Sequence, residues 1–444
     1  MRTRFYFFLL LLATVPVCAQ VSDSGSATSD ADSARMLTPP PVSGEAYATT
    51  PESQERSNYL RGGVVFSSAY TDNVLGGTSV KPVSDINYSV WPTIALDETT
   101  TRLHSIVTYA PGFTYYQRTS GRNEADQNAS VDIQYRLSPH VTAGVRDSFQ
   151  KTSNVFNQPD PLSAAAVYGS AQAPSAAVIA PVADRLSNTA NAELTYQFSA
   201  RGMVGASGTF TNLHYPNPSQ VPGLYDSSSR GGSAFYSHRL SKKHYVGALY
   251  QYSRILAYPT GPDFETQTHT IFAFYTIYLK PTLSLSFSGG PQYYQAIESP
   301  FLNSHSWSPA ATASLGWQGK RTTLAASYSR TVTGGGGLLG AFESNNGTLT
   351  GRWQVTRNWS FGTAGTYGIY KNVLQFGPIP TTPGGHTISG SVSVQRPIGQ
   401  HFDAMVDYTR IHQSFNGIAL ISAAPDTNRE SISISYHFNR PLGR

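Results

Sequence analysis

The stretch Glu430-Ser431-Ile432-Ser433-Ile434-Ser435-Tyr436-His437-Phe438 decides the fold class. Its apolar residues, Ile432, Ile434, Tyr436 and Phe438, stand two apart, with Ser431, Ser433, Ser435 and His437 between them. A helix sets its apolar positions three and four apart. A strand turns successive side chains to opposite faces, so period two means a strand with one apolar and one polar face. The alternation recurs upstream. In 129–137, Ala129, Val131, Ile133, Tyr135 and Leu137 oppose Asp132, Gln134 and Arg136. In 186–198, Leu194, Tyr196 and Phe198 oppose Asn191, Glu193, Thr195 and Gln197, and in 347–355, Leu349, Trp353 and Val355 oppose Thr350, Arg352 and Gln354. No helical period is sustained from Asn58 to Phe438.

Two kinds of connection join these segments. Short ones recur at Ser138-Pro139-His140, Ser199-Ala200-Arg201-Gly202, Ser241-Lys242-Lys243, Lys280-Pro281-Thr282, Gly319-Lys320-Arg321, Thr356-Arg357-Asn358 and Ile398-Gly399-Gln400, with one more near Asp97 to Thr101. Between them fall long connections rich in Gly, Pro, Ser and Asn, near 153–184, 214–229, 333–344, 371–385 and 413–428. The entry to the short turn is itself repeated: Tyr135-Arg136-Leu137-Ser138, Tyr196-Gln197-Phe198-Ser199, His238-Arg239-Leu240-Ser241 and Trp353-Gln354-Val355-Thr356. This is an internal hairpin repeat. A β-propeller would need a turn about every 10 residues, and a soluble sandwich would not separate long from short connections. Transmembrane barrels do so by construction, with short periplasmic turns and long external loops. Tilted strands of about 9–11 residues cross a bilayer, and only a closed barrel satisfies every strand edge in lipid.

The expectation is therefore an all-β, antiparallel, up-and-down transmembrane β-barrel of 18 strands of about 10–14 residues each. The count becomes 16 if 58–72 or 284–296 is misread. An even count places both chain ends in the periplasm, and a barrel of this size encloses an aqueous channel. Girdle aromatics should then sit beside the short turns on the apolar face. Tyr135, Tyr196, Phe198, Tyr236, Tyr278, Trp317, Trp353, Trp359, Phe402, Tyr436 and Phe438 meet that requirement by position.

Composition agrees. Only 13% of the 444 residues are charged, against about 25% in a soluble domain, while 12% are aromatic and 39 are Gly. Disordered chains want the opposite balance, and a helical membrane protein needs apolar runs of about 18 residues. Met1-Arg2-Thr3-Arg4, the apolar run Phe5 to Ala13 and the small residues up to Ala19 have the layout of a cleaved secretory signal peptide, 1–19. Cleavage there removes Cys18, the single cysteine, so the mature chain has no thiol chemistry. Residues 20–57 are rich in Ser, Ala, Asp, Thr and Pro, acidic and without apolar periodicity, which reads as a disordered periplasmic linker. The barrel is 58–444, and without its acidic linker it is more basic than the +5 of the whole chain.

The polar faces carry few charges. Arg136, Arg146, Arg239 and Arg352 are candidates for the lumen, with Asp132, Glu193, Asp403 and Asp407 as counter-charges. Fixed charges around a pore set ion preference, here mildly for anions; the alternative is that they form cross-strand ion pairs that stiffen the wall. The Ala-rich loop 153–184 either folds inward or packs over the mouth. No Gly-x-Ser-x-Gly elbow, His-Glu-x-x-His or Cys/His metal spacing is present, so no enzyme activity, cofactor or metal is expected. His104, His214, His269 and His412 belong to polar faces or loops. Basic residues at the short turns, such as Lys242, Lys243, Lys320 and Arg321, suit a rim near anionic head groups and not a nucleic-acid site.

Gly62-Gly63-Val64-Val65-Phe66-Ser67-Ser68-Ala69-Tyr70-Thr71-Asp72-Asn73-Val74, a strand leaving through Tyr-Thr-Asp-Asn, resembles the outer-membrane β-barrel porin family, some members of which are associated with exopolysaccharide export. The resemblance implies a Gram-negative outer-membrane location and partnership with outer-membrane lipid and the barrel assembly machinery. It also implies a channel for small polar solutes or saccharides. A saccharide route is favoured if aromatics such as Tyr250, Tyr252, Tyr293 and Tyr294 face inward, since sugars stack on them. The alternative is a structural or adhesive barrel with a plugged lumen. One departure from the pattern is the tail: Phe438 is followed by Asn439-Arg440-Pro441-Leu442-Gly443-Arg444, where many such barrels end on an aromatic.

Overall fold

The computed structural model describes residues 58–75, 81–154, 182–218, 224–259, 263–280, 282–298, 302–333, 340–373, 384–415 and 425–442. Residues 1–57, read above as signal peptide and linker, and residues 155–181 of the Ala-rich loop lie outside the described residues. The chain forms β1 (Tyr59–Thr71), β2 (Asp85–Thr99), β3 (Leu103–Tyr116), β4 (Glu124–Arg136), β5 (Val141–Asn154), β6 (Val182–Gln197), β7 (Gly202–His214), β8 (Asp226–Arg239) and β9 (His244–Tyr258). It continues with β10 (Phe264–Lys280), β11 (Leu283–Glu298), β12 (Leu302–Gln318), β13 (Thr322–Thr333), β14 (Phe342–Gln354), β15 (Ser360–Asn372), β16 (Gly384–Ile398), β17 (Phe402–Phe415) and β18 (Asp426–Pro441). Each strand pairs antiparallel with the next, and β1 pairs with both β2 and β18, which closes the 18-stranded sheet into a barrel.

Both marginal segments, 58–72 and 284–296, are strands, so the count is 18 and not 16. Ten of the eighteen strands keep to the 10–14 residues expected, and the other eight run longer, up to 17 in β10 and β12. The strands extend at the expense of the long connections. β8 begins at Asp226, inside the expected loop 214–229, and Phe415 and Asp426 of β17 and β18 lie within the expected loop 413–428. β9 through β12 carry this furthest, with only three residues separating Glu298 from Leu302. Ladder pairing satisfies backbone groups that a loop would leave to water.

The short turns stand where the sequence puts them, and their repeated Ser or Thr has a local cause. Ser138 Oγ accepts from the backbone N–H of His140 (3.2 Å) and Val141 (3.1 Å). Ser199, Ser241 and Thr356 each accept from the N–H two residues on, all at 3.2 Å. A hydroxyl that bonds the backbone two residues ahead is a built-in turn, which explains why the hairpin repeat keeps that residue type. Gly399 meets the same need differently, with the left-handed φ of 77° that a side chain would disfavour.

The Tyr-Thr-Asp-Asn exit also has a structural role. The Asp72 carboxylate accepts from the backbone N–H (2.7 Å) and side-chain amide (2.6 Å) of Asn428, and Asp72 N–H donates back to the Asn428 carbonyl (3.1 Å). Asn73 Nδ2 donates to the Asp426 carbonyl (3.1 Å). The motif thus fastens the first strand to the last at the top of the closing seam. At the other end the tail beyond Phe438 is part of β18: Asn439, Arg440 and Pro441 pair with Arg61, Leu60 and Tyr59, and Leu442 N–H donates to the Asn58 carbonyl (2.8 Å).

The register sorts the side chains. Exposed Phe66, Val107, Tyr135, Leu194, Tyr196, Leu349, Trp353, Val392, Val406 and Ile432 share one barrel face by the register. This face is outward, and the Ser- and Thr-rich face opposite it is inward. Tyr278 departs from the girdle expectation. It is buried on the inward face against Met203 and Tyr245, edge-on to Tyr245 at 5.7 Å between ring centroids. The reason is that lower β10 is apolar on both faces, so exposed Leu279 and Tyr275 take the outward positions.

Candidate functional site: the inward face of the barrel

The register puts the eight charged candidates on the inward face, but they do not form one ring. Asp132 of β4 and Arg146 of β5 are directly opposite and joined by Nη2–Oδ2 (2.7 Å) and Nε–Oδ2 (3.0 Å) hydrogen bonds. Asp403 holds His437 Nδ1 at 3.2 Å. Asp407 is buried, accepts from the Ser431 hydroxyl and lies 3.5 Å from Arg429 Nη1. Glu193 sits exposed over Gly144 on the neighbouring strand.

The other three arginines lie at the short-turn end. Arg136 and Arg239 are the last residues of β4 and β8, and Arg352 is two residues from the end of β14, where Nη2 donates to Gln395 Oε1 (3.2 Å). At the same end Arg61 and His104 meet Asp97, at 3.1 and 3.6 Å. Arg61, Asp97 and Arg429 were not among the sequence candidates, although the strand alternation that places Asp132 inward also places them.

The four singled-out histidines have polar neighbours, but His269 lies on the outward face between Tyr252 and Tyr293 and not on the polar face or loop expected. His104 faces Asp97, His214 Nδ1 meets Asp226 Oδ2 (2.6 Å), His412 Nδ1 meets Asp426 Oδ1 (3.2 Å) and His269 Nδ1 meets the Tyr250 hydroxyl (2.8 Å). No group of three metal-ligating side chains occurs among the described residues.

The inward face is lopsided. On β5, β6 and β7 it is open, with Arg146, Thr189, Glu193 and Thr209 exposed. On β10 every inward residue from Phe264 to Tyr278 is buried. Leu249, Phe272, Phe274 and Ala310 form an apolar cluster on the inward side of β9, β10 and β12. The sequence carries the signal for this cluster in the almost unbroken apolar run Ile271 to Leu279, which reads as a strand buried on both faces. The four tyrosines that would favour a saccharide route do not line the lumen. Tyr250, Tyr252 and Tyr293 face outward around His269, and Tyr294 is buried with Phe264, Ala296 and Val332.

No protein-family model matches the sequence, and no curated protein matches it. Among solved structures the chain is similar to OccK2 (OpdF) of Pseudomonas aeruginosa, with 8% identity and a TM-score of 0.42 over 86% of this chain and 98% of that one. It is also similar to OccAB4 of Acinetobacter baumannii, with 9% identity and a TM-score of 0.40 over 87% of this chain and 100% of that one.

Proposed function

We propose that this protein is an outer-membrane channel through which small polar solutes diffuse passively. The observation that carries the reading is the separation of faces around a closed wall. Large apolar side chains are exposed on the outside, where only lipid makes that favourable, and Ser, Thr, Asn, Gln and paired charges line the inside. Solutes are sorted by size and charge, and no bond is made or broken.

The open path follows β5 to β7, whose inward residues, Met203 and Leu213 apart, are small or polar. Arg136, Arg239 and Arg352 stand at the short-turn mouth, while three of the four carboxylates are held by His437, Arg429 or Arg146. This arrangement favours anions at the mouth and leaves the paired charges to stiffen the wall. With three tyrosines outward and the fourth buried, the aromatic stacking surface that a saccharide would use is missing from those positions, so the reading is committed to small polar solutes.

Planar-bilayer conductance of the refolded protein tests it, repeated after deletion of 155–181. Steady conductance with an anion-directed reversal potential in a salt gradient is the expected result. Silence from both proteins, each shown to be folded, would overturn the channel in favour of a structural barrel.

A further inference from the structure

The wall has a breach. β12 pairs with β13 only from Ala311/Arg330 down to Gln318/Thr323, although β12 continues up to Leu302 and β13 up to Thr333. Above that row β13 stays paired with β14, up to Thr333 opposite Phe342, and leaves β12. Among the described residues the 303–310 edge of β12 therefore has no ladder partner on the β13 side.

The cause is local. Continued by two residues, the register would set Val332 opposite Pro309. Proline has no N–H to give to a ladder and belongs on edge strands. The side chain of Gln292, on the inward face of β11, supplies what Pro309 lacks: its Nε2 donates to the Val332 carbonyl (3.2 Å) and its Oε1 accepts the Val332 N–H (2.7 Å). One amide side chain thus replaces a strand partner and draws the top of β13 inside. There Val332 and Ala341 pack on Ala257, Phe264, Tyr294 and Ala296.

An unpaired edge at membrane depth is costly unless it lines a cavity or meets other polar groups. The breach is flanked outside by Tyr293 and by Trp307, which is 67% exposed, and inside by Ala310 with Leu249, Phe272 and Phe274. Apolar surface is therefore continuous from the outer wall to the apolar inward cluster of β9, β10 and β12. We infer that the gap between β12 and β13 is a lateral port that takes the acyl chain of an amphiphile from the outer leaflet, its polar head bonding the free backbone edge of 303–310. This rests on the membrane placement proposed above but not on conduction along the barrel axis.

The test uses the full chain with Cys18→Ser, reconstituted in phosphatidylcholine vesicles with or without brominated acyl chains. A bimane label is placed on Ser306→Cys, on the inward face beside the gap, or on Ser207→Cys, on the inward face of β7. Bromolipid should quench the Ser306 label strongly and the Ser207 label weakly. Adding Pro309→Val and Gln292→Leu, which restores the ladder N–H and removes the staple, should bring quenching at 306 down to the level at 207. Equal quenching of the two labels in the parent background, in protein that still conducts, would overturn the port and leave the channel standing. Should 306 stay dark to bromolipid while an added Val/Thr-rich peptide protects the 303–310 amides from exchange, the edge is a strand-addition site and the acyl-chain assignment is wrong. The parent-background comparison holds even if the double variant fails to fold.

Discussion

Strands β7 and β10 belong to one sheet and alternate with the same period, yet they present opposite interiors. On β7 the inward positions between Met203 and Leu213 are Gly205, Ser207, Thr209 and Thr211, none of them buried. On β10 they include Phe272, Phe274 and Tyr278, all buried. Alternation tells which way a side chain points, whereas its volume and its neighbours decide whether that side is open. A barrel wall with small inward residues on one arc and large ones on another has an off-centre lumen. The polar route then lies along the thin-lined arc and the packing energy along the thick-lined one.

The largest expected consequence is in stability. Phe272 is 1% exposed, and truncation to Ala should cost about 3–5 kcal/mol, the range for deleting a buried aromatic. Thr209→Ala on the open arc should stay within about 0.5 kcal/mol. Urea unfolding of the reconstituted protein measures both. Equal shifts would mean that the two arcs are packed alike and that the comparison fails.

Glycines sharpen the contrast at the next level. A Cβ at Gly247, an inward position of β9, would stand 2.1 Å from the Tyr236 carbonyl oxygen and 2.3 Å from Phe274 Cζ. Gly247→Ala should therefore cost about 1–3 kcal/mol through overpacking. Gly208 of β7, by contrast, stands on the outward face, where the nearest atom is the Gly231 carbonyl oxygen at 4.0 Å. Gly208→Ala should be neutral or stabilise by about 0.5–1 kcal/mol, since Gly loses more freedom on ordering. The same unfolding experiment reads both substitutions, and a cost at 208 matching that at 247 would contradict the packing described.

Selectivity follows the open arc and the mouth. Replacing Arg136, Arg239 and Arg352 together by Gln should move the reversal potential in a salt gradient toward cations, and Glu193→Gln alone should move it a smaller step toward anions. Thr266→Val, buried on β10, should leave it unchanged. A shift with Thr266→Val and none with the arginines would place the conducting path along the wrong wall.

Much of this architecture is legible in the residues. The Ser or Thr that opens the turns at 138, 199, 241 and 356 bonds its own backbone, so a local signal reports a local structure. Asp132 and Arg146 could be placed on one face because parity alone decides it. What parity leaves open depends on neighbours distant in sequence. Tyr278 turns inward because Met203 and Tyr245 receive it, and the top of β13 leaves the wall because Gln292, 40 residues away, substitutes for a proline's missing N–H. Pro309 within a strand was the visible warning of an edge. Only the register shows which neighbour it loses.

The smallest expected effect concerns Asp132 and Arg146, the one directly opposed ion pair among the eight charges. Its geometry is good, at 2.7 Å, but the Arg146 side chain is 55% exposed, so water and salt screen the attraction. A double-mutant cycle with Asp132→Asn and Arg146→Gln should give a coupling of about 0.2–1 kcal/mol, the range for exposed pairs. The coupling should shrink as salt is raised from low to molar concentration. On the thick-lined arc the same pair would be shielded and its coupling would resist salt. A salt-insensitive coupling of several kcal/mol between Asp132 and Arg146 would thus show that the β4–β5 wall is not water-lined, and the polar route would have to be sought elsewhere on the barrel's inner face.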